Sequence, residues 1–200
     1  MERLVSAVVL AAGKSERMGR LKQLLPFGKR TVVETVTKTL QLVGCTEILV
    51  VLGHRASEIA HVLPNTVRTV VNEDYESGMF SSVLAGLNAL DSQADGMLLL
   101  LGDQPQIRAG MVKAVIDRFA QSDEGIVIPV VDGKRGHPVV IDVRRYGEEI
   151  RDLDGSEGLK PVMRGHLEDT GFVEMDDEAI LRDLDTPEDY EREIRLIQEQ

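Results

Sequence analysis

Three short stretches of this chain carry side chains able to do chemistry. The first is "AAGKSERMGRLK", Ala11 to Lys22, which gathers Lys14, Arg17, Arg20 and Lys22 around Gly13 and Gly19. Glycines let a backbone come close to a ligand and turn its N–H groups toward it. Cations hold phosphate oxygens through charge-assisted hydrogen bonds. The whole chain carries a net charge of -11, so an anion is drawn in only where cations cluster locally. Two readings are open for this loop, a solvated basic turn or a clamp for a triphosphate. It is neither a GxxxxGK[ST] nor a GxGxxG motif. The second stretch is "LLLLGDQPQI". Its Asp103 either caps the turn into "QPQI" or holds Mg²⁺, a hard cation that takes one or two carboxylates together with phosphates and water. The third is "RDLDTPEDY". Here Asp185 is the N-cap of a last helix, a second metal ligand, or both.

Those residues need a scaffold that brings them together, and the hydrophobic pattern supplies one. Apolar runs that read as buried strands are "LVSAVVLAA" (Leu4 to Ala12), "EILVVLG", "VRTVVN" and "DGMLLLLGD". Helical spacing lies between them at Thr31 to Val43, Arg55 to Leu63, Ser77 to Leu90 and Arg108 to Ala120. Alternating strands and helices with continuous apolar strands predict an α/β fold with a mainly parallel sheet covered on both faces. After Gly125 the rhythm changes. "GIVIPVVDGKRGHPVVIDV" places two β-rich runs around an Asp-Gly pair, which predicts a hairpin-type excursion. Short helices near Arg144 to Leu153 and Gly158 to His166, the strand "GFVEM" and a helix from Pro187 complete the chain. Residues 1–200 read as one domain, with the change of rhythm dividing 1–124 from an elaborated 125–200. In open sheets of this kind ligands bind beyond the C-terminal strand ends, where all three stretches fall.

Composition narrows the function. Of the 200 residues 42% are hydrophobic and 28% charged, the balance of a soluble globular protein. The acidic charge disfavours nucleic-acid binding. The N-terminal apolar run is too short for the ~20 residues a membrane span needs and leads into a charged loop, so neither a span nor a signal peptide is expected. The single cysteine, Cys45, excludes an internal disulfide framework and suits a reducing, cytoplasmic setting. It reads as a small buried hydrophobe. His137 in "RGHPVV" is either a hairpin residue held extended before proline or a catalytic base. His54 reads as a loop residue. Ser81 and Ser82 are either capping and surface serines or, with Gly78, part of a helix N-terminus that meets a nucleotide.

The motifs also resemble a known family. "LAAGKSERMGRLK" is similar to the opening signature of MobA-like nucleotidyltransferases, with Leu10, Ala11, Ala12, Gly13, Ser15, Arg17, Met18, Gly19 and Lys22 in matching positions. "ESGMFSSVLAGL", "LLLGDQP", "GKRGHPVVI" and "LRDLDTPEDY" resemble its later segments, in order, to Tyr190. The resemblance implies a Rossmann-like three-layer nucleotidyltransferase fold and Mg²⁺-dependent transfer of a nucleoside monophosphate to an acceptor phosphate. It implies that Leu10 to Gly13, Ser15, Gly78 and Ser82 bind the nucleotide. Arg17, Lys22 and Asp103 would be catalytic, and Asp103 and Asp185 would hold the metal. "LAAG" with "GDQP" looks like the cytidylyltransferase branch acting on the molybdenum cofactor, with Ala12 favouring CTP over GTP. The acceptor would then be molybdopterin, contacted by His137 and Lys160, and the recipient of the product a molybdoenzyme. One segment departs from the family: Ser156 and Lys160 stand where an acid and an arginine are usual. Guanylyl transfer, another phosphorylated acceptor, a non-catalytic nucleotide-binding accessory protein, or a dinucleotide oxidoreductase, against which the missing GxGxxG counts, are the rival expectations.

Overall fold

A computed structural model describes residues 3–198. The chain begins with β1 (Val5–Ala11), every residue of which is buried. A two-strand ribbon, β2 (Pro26–Phe27) and β3 (Arg30–Thr31), leads into α1 (Val32–Val43). Then follow β4 (Glu47–Leu52), α2 (Ala56–Val62), β5 (Arg68–Val71), α3 (Met79–Ala89), β6 (Gly96–Leu101) and α4 (Ala109–Gln121). The remainder is β7 (Ile126–Val131), β8 (Lys134–Arg135), β9 (Val139–Asp142), α5 (Val143–Asp152), α6 (Lys160–Gly165), β10 (Thr170–Glu174) and α7 (Pro187–Gln198).

One mostly parallel sheet runs in the order β10-β7-β9-β6-β1-β4-β5, with β8 paired to β7. Strand β1 lies between β4 and β6, parallel to both. Only β8 and β9 run against the rest, β9 between β6 and β7. The "DGKRG" excursion is a tight hairpin. Asp132 and Gly133 have φ of 49° and 72°, the two positive values that a type I′ turn requires.

Alternation along β1 builds the layers. Ala7, Val9 and Ala11 face a core shared with Leu40 of α1, Ile59 of α2 and Phe119 of α4. Val8 and Leu10 face the opposite core, with Val83 of α3, Ile150 of α5 and Val162 of α6. A strand buried on both faces has no polar side to spare, which is why its sequence reads as an unbroken apolar run. A smaller cluster joins Met18, Leu25, Phe27, Val32 and Leu184 to Ile194 and Ile197 of α7.

Helix ends follow local chemistry. Thr31 and Glu34 form a capping box at the start of α1, and Gly44 ends it at φ 79°. The helix expected from Ser77 begins later, at Met79. Tyr75–Ser77 form a 3-10 turn, and Gly78 at φ 109°, ψ 173° separates the two. Only glycine occupies that backbone region without strain.

The hairpin is anchored where α7's approach segment crosses it. His137 N donates to Ile180 O at 3.0 Å. A Cβ placed on Gly136 would sit 2.3 Å from that carbonyl oxygen, and backbone cannot move aside as a side chain can. Gly136→Ala is expected to lower unfolding free energy by about 1–3 kcal/mol. Urea titration checks this, with a reduced midpoint at an unchanged slope.

Candidate active site

The C-terminal ends of β1 and β6 are adjacent in the sheet, and the loop after β1 is stitched into one shape. Ser15 adopts a left-handed conformation at φ 57°, sparsely populated by residues other than glycine. Its Oγ accepts from Lys22 N at 3.2 Å and donates to Gln23 Oε1 at 3.2 Å. Gln23, buried, donates from Nε2 to the carbonyls of Ala11 and Gly13 at 3.3 and 3.2 Å. Met18 plugs the loop into the α7 cluster. These contacts aim Lys22 across to the end of β6.

There Lys22 Nζ meets Asp103 Oδ2, and it also donates to Asp185 Oδ1 at 3.1 Å. Arg17 donates to Asp185 Oδ2 at 2.8 Å. The Lys22 and Asp103 side chains are only 13% and 14% exposed. Burial pulls the Lys22 ammonium down, but the Asp103 and Asp185 carboxylates more than offset it and hold it above the ordinary lysine value. The other Asp103 oxygen, Oδ1, is buried without a partner.

The segment before α7 runs beside this pair. Leu184 N donates to Asp103 O at 3.1 Å, and the Leu184 side chain is fully buried. Asp183 and Asp185, on either side of it, both line the cavity, as alternation along an extended chain dictates. Asp183 was not expected in the site, and that period of two around Leu184 was its signal. Asp183 accepts from Gln104 Nε2 at 2.7 Å. Burial, then the Asp103 charge, push its carboxyl above the usual range. Asp185 is not the N-cap that its position suggested. Thr186 takes that role, exchanging bonds with Asp189 N (3.2 Å) and Asp189 Oδ2 (2.8 Å), which leaves both Asp185 oxygens to Lys22 and Arg17.

Three concavities surround the network. A cavity of about 310 Å³ is lined by Leu10, Ala12, Gly13, Gly78 and Ser82 together with Arg17, Lys22, Asp103, Asp183 and Asp185. A second, about 390 Å³, adds Lys14, Ser15, Glu16 and Glu76. Ala11 lines neither; its side chain lies in the core and its carbonyl is taken by Gln23. Lys14 pairs with Glu76, and its ammonium lies 5.9 Å from the Tyr75 ring centre. Arg20 is exposed and lines none of the three. The third cavity, about 550 Å³, has an apolar wall of Phe80, Val83, Leu99 and Ile128. Arg135, His137 and Lys160 line it too, and Met79 is shared with the first cavity. Burial, opposed by the Asp103 charge, holds the His137 imidazole below its usual value and hence neutral at pH 7.

Other candidates stand apart. Cys45 lies in a separate depression beside Glu47 and Arg68, and burial pushes its thiol up to about 11, far from a reactive thiolate. His54 is half-buried and its N–H donates to Ala12 O at 3.1 Å. Among the described residues no three His, Cys, Asp or Glu form a metal cage. Mg²⁺ does not require one, since substrate phosphates and water complete its shell. The unpartnered Asp103 Oδ1 is a hard oxygen of the kind it takes. Among the described residues no helix is long and apolar enough to cross a membrane.

A mostly parallel sheet that offers a cationic glycine loop and an acidic strand end to one cavity has the layout of an enzyme handling a nucleotide–metal complex. The chain belongs to the MobA-like NTP transferase family, whose domain profile matches residues 7–170, and it is a nucleotidyltransferase. It is 33% identical to nicotine blue oxidoreductase of Paenarthrobacter nicotinovorans, over 94% of this chain and 95% of that one. It is 27% identical to the molybdenum cofactor cytidylyltransferase of Escherichia coli K12, over 93% of each. The crystal structure of Rv0371c from Mycobacterium tuberculosis H37Rv superposes with a TM-score of 0.86 at 28% identity, covering 98% of this chain and 99% of that one. Its complex with manganese gives 0.81 at 27%, covering 96% and 98%.

Removing Lys22 leaves two facing carboxylates with no ammonium between them. Lys22→Met is expected to cost about 2–3 kcal/mol in metal-free buffer, below the full penalty for a wholly buried pair because water still reaches the site. Because Lys22 titrates higher in the folded state, its contribution is intact below pH 10.5 and is lost as pH rises through the raised value. Urea unfolding of the two proteins at pH 7 and above pH 10.5 should show the gap narrow at the higher pH.

Proposed function

We propose that the protein transfers CMP from CTP to the terminal phosphate of molybdopterin, releasing pyrophosphate. The observation that carries this reading is the Lys22–Asp103–Asp185–Arg17 network in a nucleotide-sized cavity that shares Met79 with an apolar one lined also by Arg135 and Lys160. The first cavity takes the nucleoside over Leu10, Ala12 and Gly13. Lys22 and Arg17 exchange their carboxylate partners for phosphate oxygens. A phosphate oxygen of the acceptor attacks the α-phosphorus in line, the bond to the β-phosphate oxygen breaks, and pyrophosphate leaves with the electron pair. Lys22 faces the charge that grows there, a stabilisation strongest in the transition state. The attacking oxygen is already anionic, so catalysis is positioning and electrostatics, with no strong base required. Asp103 and Asp185 would hold a divalent metal, which would supply further charge neutralisation at the phosphates.

The third cavity suits the acceptor. Its apolar wall fits a fused ring, and Arg135, the neutral His137 and Lys160 offer hydrogen bonds and charge at its edge. The similarity to the Escherichia coli cytidylyltransferase supports this acceptor. A second reading follows from the relative named nicotine blue oxidoreductase: the same apolar cavity would take an aromatic heterocycle for reduction. The chain has no GxGxxG after β1 for a dinucleotide, which favours transfer over reduction.

Pyrophosphate release, measured with CTP, GTP, ATP and UTP, with and without molybdopterin and Mg²⁺, distinguishes these readings. Release with CTP that depends on molybdopterin is the expected result. Nucleotide binding without turnover on any acceptor, or oxidation of a nicotinamide cofactor by an aromatic substrate, overturns it. Asp103→Asn should reduce turnover about 10²–10³-fold with circular dichroism unchanged. Ala12 lines the nucleotide cavity, and its Cβ lies close to Gly53. Ala12→Gly should move the CTP to GTP ratio of kcat/KM about tenfold toward GTP, within the range one methyl group commands; an unchanged ratio removes Ala12 from base selection.

A further inference from the structure

Ser82, which lines the nucleotide cavity, pairs with the buried Asn72 behind it and has one hydrogen left over. Asn72 is 6% exposed and Ser82 4%. Asp74 N donates to Asn72 Oδ1 at 3.0 Å. A backbone N–H can only donate, so this contact settles which end of the amide is oxygen. The Nδ2 end therefore faces the two serines, donating to Ser81 Oγ at 2.8 Å and to Ser82 Oγ at 3.0 Å. Both hydroxyls accept from Asn72 and must send their own hydrogens elsewhere. Ser81 has two outlets, Asp74 O at 2.9 Å and Gly78 O at 2.8 Å. Ser82 has none among the described residues, and its side chain lines the cavity beside Leu10 and Ala12.

We propose that Asn72 is a positioning residue for nucleobase recognition: by donating to Ser82 Oγ it turns the Ser82 O–H into the cavity, where that hydroxyl donates to a ring carbonyl or ring nitrogen of the base. This rests on the reading of the cavity as a nucleoside triphosphate site. The cavity's composition sets the direction of the ligand. Ser82 lines the first cavity but not the adjoining concavity, which holds Lys14, Ser15, Arg17 and Lys22. Phosphates belong at the cationic end and the base at the Ser82 end. A buried hydroxyl hydrogen without an acceptor is costly, and a base acceptor removes that cost on binding. A serine left to itself would rotate toward a nearby helix carbonyl; Asn72 prevents this by occupying its acceptor side.

The test is isothermal titration calorimetry of the whole protein at fixed Mg²⁺, with the four nucleoside triphosphates and with inorganic tripolyphosphate, which has no base. Ser82→Ala and Asn72→Ala should each weaken the tightest-binding nucleotide about tenfold and leave tripolyphosphate within about twofold. The double variant should be no weaker than Ser82→Ala, because the two act as one unit. Asn72→Thr keeps an acceptor for Asp74 N but cannot reach both serines, and it should behave as Asn72→Ala does if the latter fails to fold. Equal weakening of nucleotide and tripolyphosphate, additive losses in the double variant, or no loss at all would overturn the proposal. Wild-type protein that binds tripolyphosphate and no nucleotide, or neither, overturns the nucleotide assignment and this inference with it.

Discussion

An ammonium held between two carboxylates organises this molecule. Lys22 lies on the loop after β1, Asp103 at the end of β6, and Asp185 on the segment before α7. Those three pieces of chain share no local structure. Opposite charges only partly open to water join them. Such a pair is costly to bury, so it persists only where geometry is good and the remaining lone pairs have a use. Much of the surrounding structure supplies that geometry. Ser15 and Gln23 set the loop, the Leu184 amide pins the acidic segment to Asp103, and Thr186 caps α7 so that Asp185 stays available.

The same interaction explains how an acidic protein can receive a polyanion. Each cation at the cavity is already matched: Lys22 by Asp103 and Asp185, Arg17 by Asp185, and Lys14 by Glu76. In the proposed reaction the carboxylates hold the place of the phosphates until a nucleotide arrives, and exchange of partners moves charge within the site with little change in the total field. The unpartnered Asp103 oxygen and the raised Asp183 carboxyl mark where negative charge is most crowded. That is where a divalent cation relieves the crowding most. The third cavity, with its apolar wall, shares Met79 with the first and so adjoins this charged centre.

The layers of the fold were legible because β1, β4 and β6 are buried on both faces and so carry no polar alternation. The hairpin was legible because Asp132-Gly133 takes the positive φ pair that few dipeptides tolerate. Boundaries were less so. Gly78 looks like an ordinary start of a helix, and only its φ shows that it separates a 3-10 turn from α3. In the site, the clustered cations and the acid ending an apolar strand stood out by type alone. Gln23, Asn72 and Asp183 did not. Each is a common polar residue whose part depends on a partner distant in space or on which side of an extended segment it falls.

By itself, the sequence determined which residue types were available and which strand ends they had to occupy, since hydrophobic periodicity and glycine spacing are properties of neighbours along the chain. It left Asp185 divided between a helix cap and a site ligand, and Ala11 grouped with its neighbours as a nucleotide contact. Only the tertiary structure decided those cases. Thr186 reached Asp189 and took the cap, and β1's pleat turned Ala11 into the core. The reason is the same in each: a hydrogen bond or a packed face is settled by what the folded chain brings opposite it, and no spacing along the sequence contains that partner.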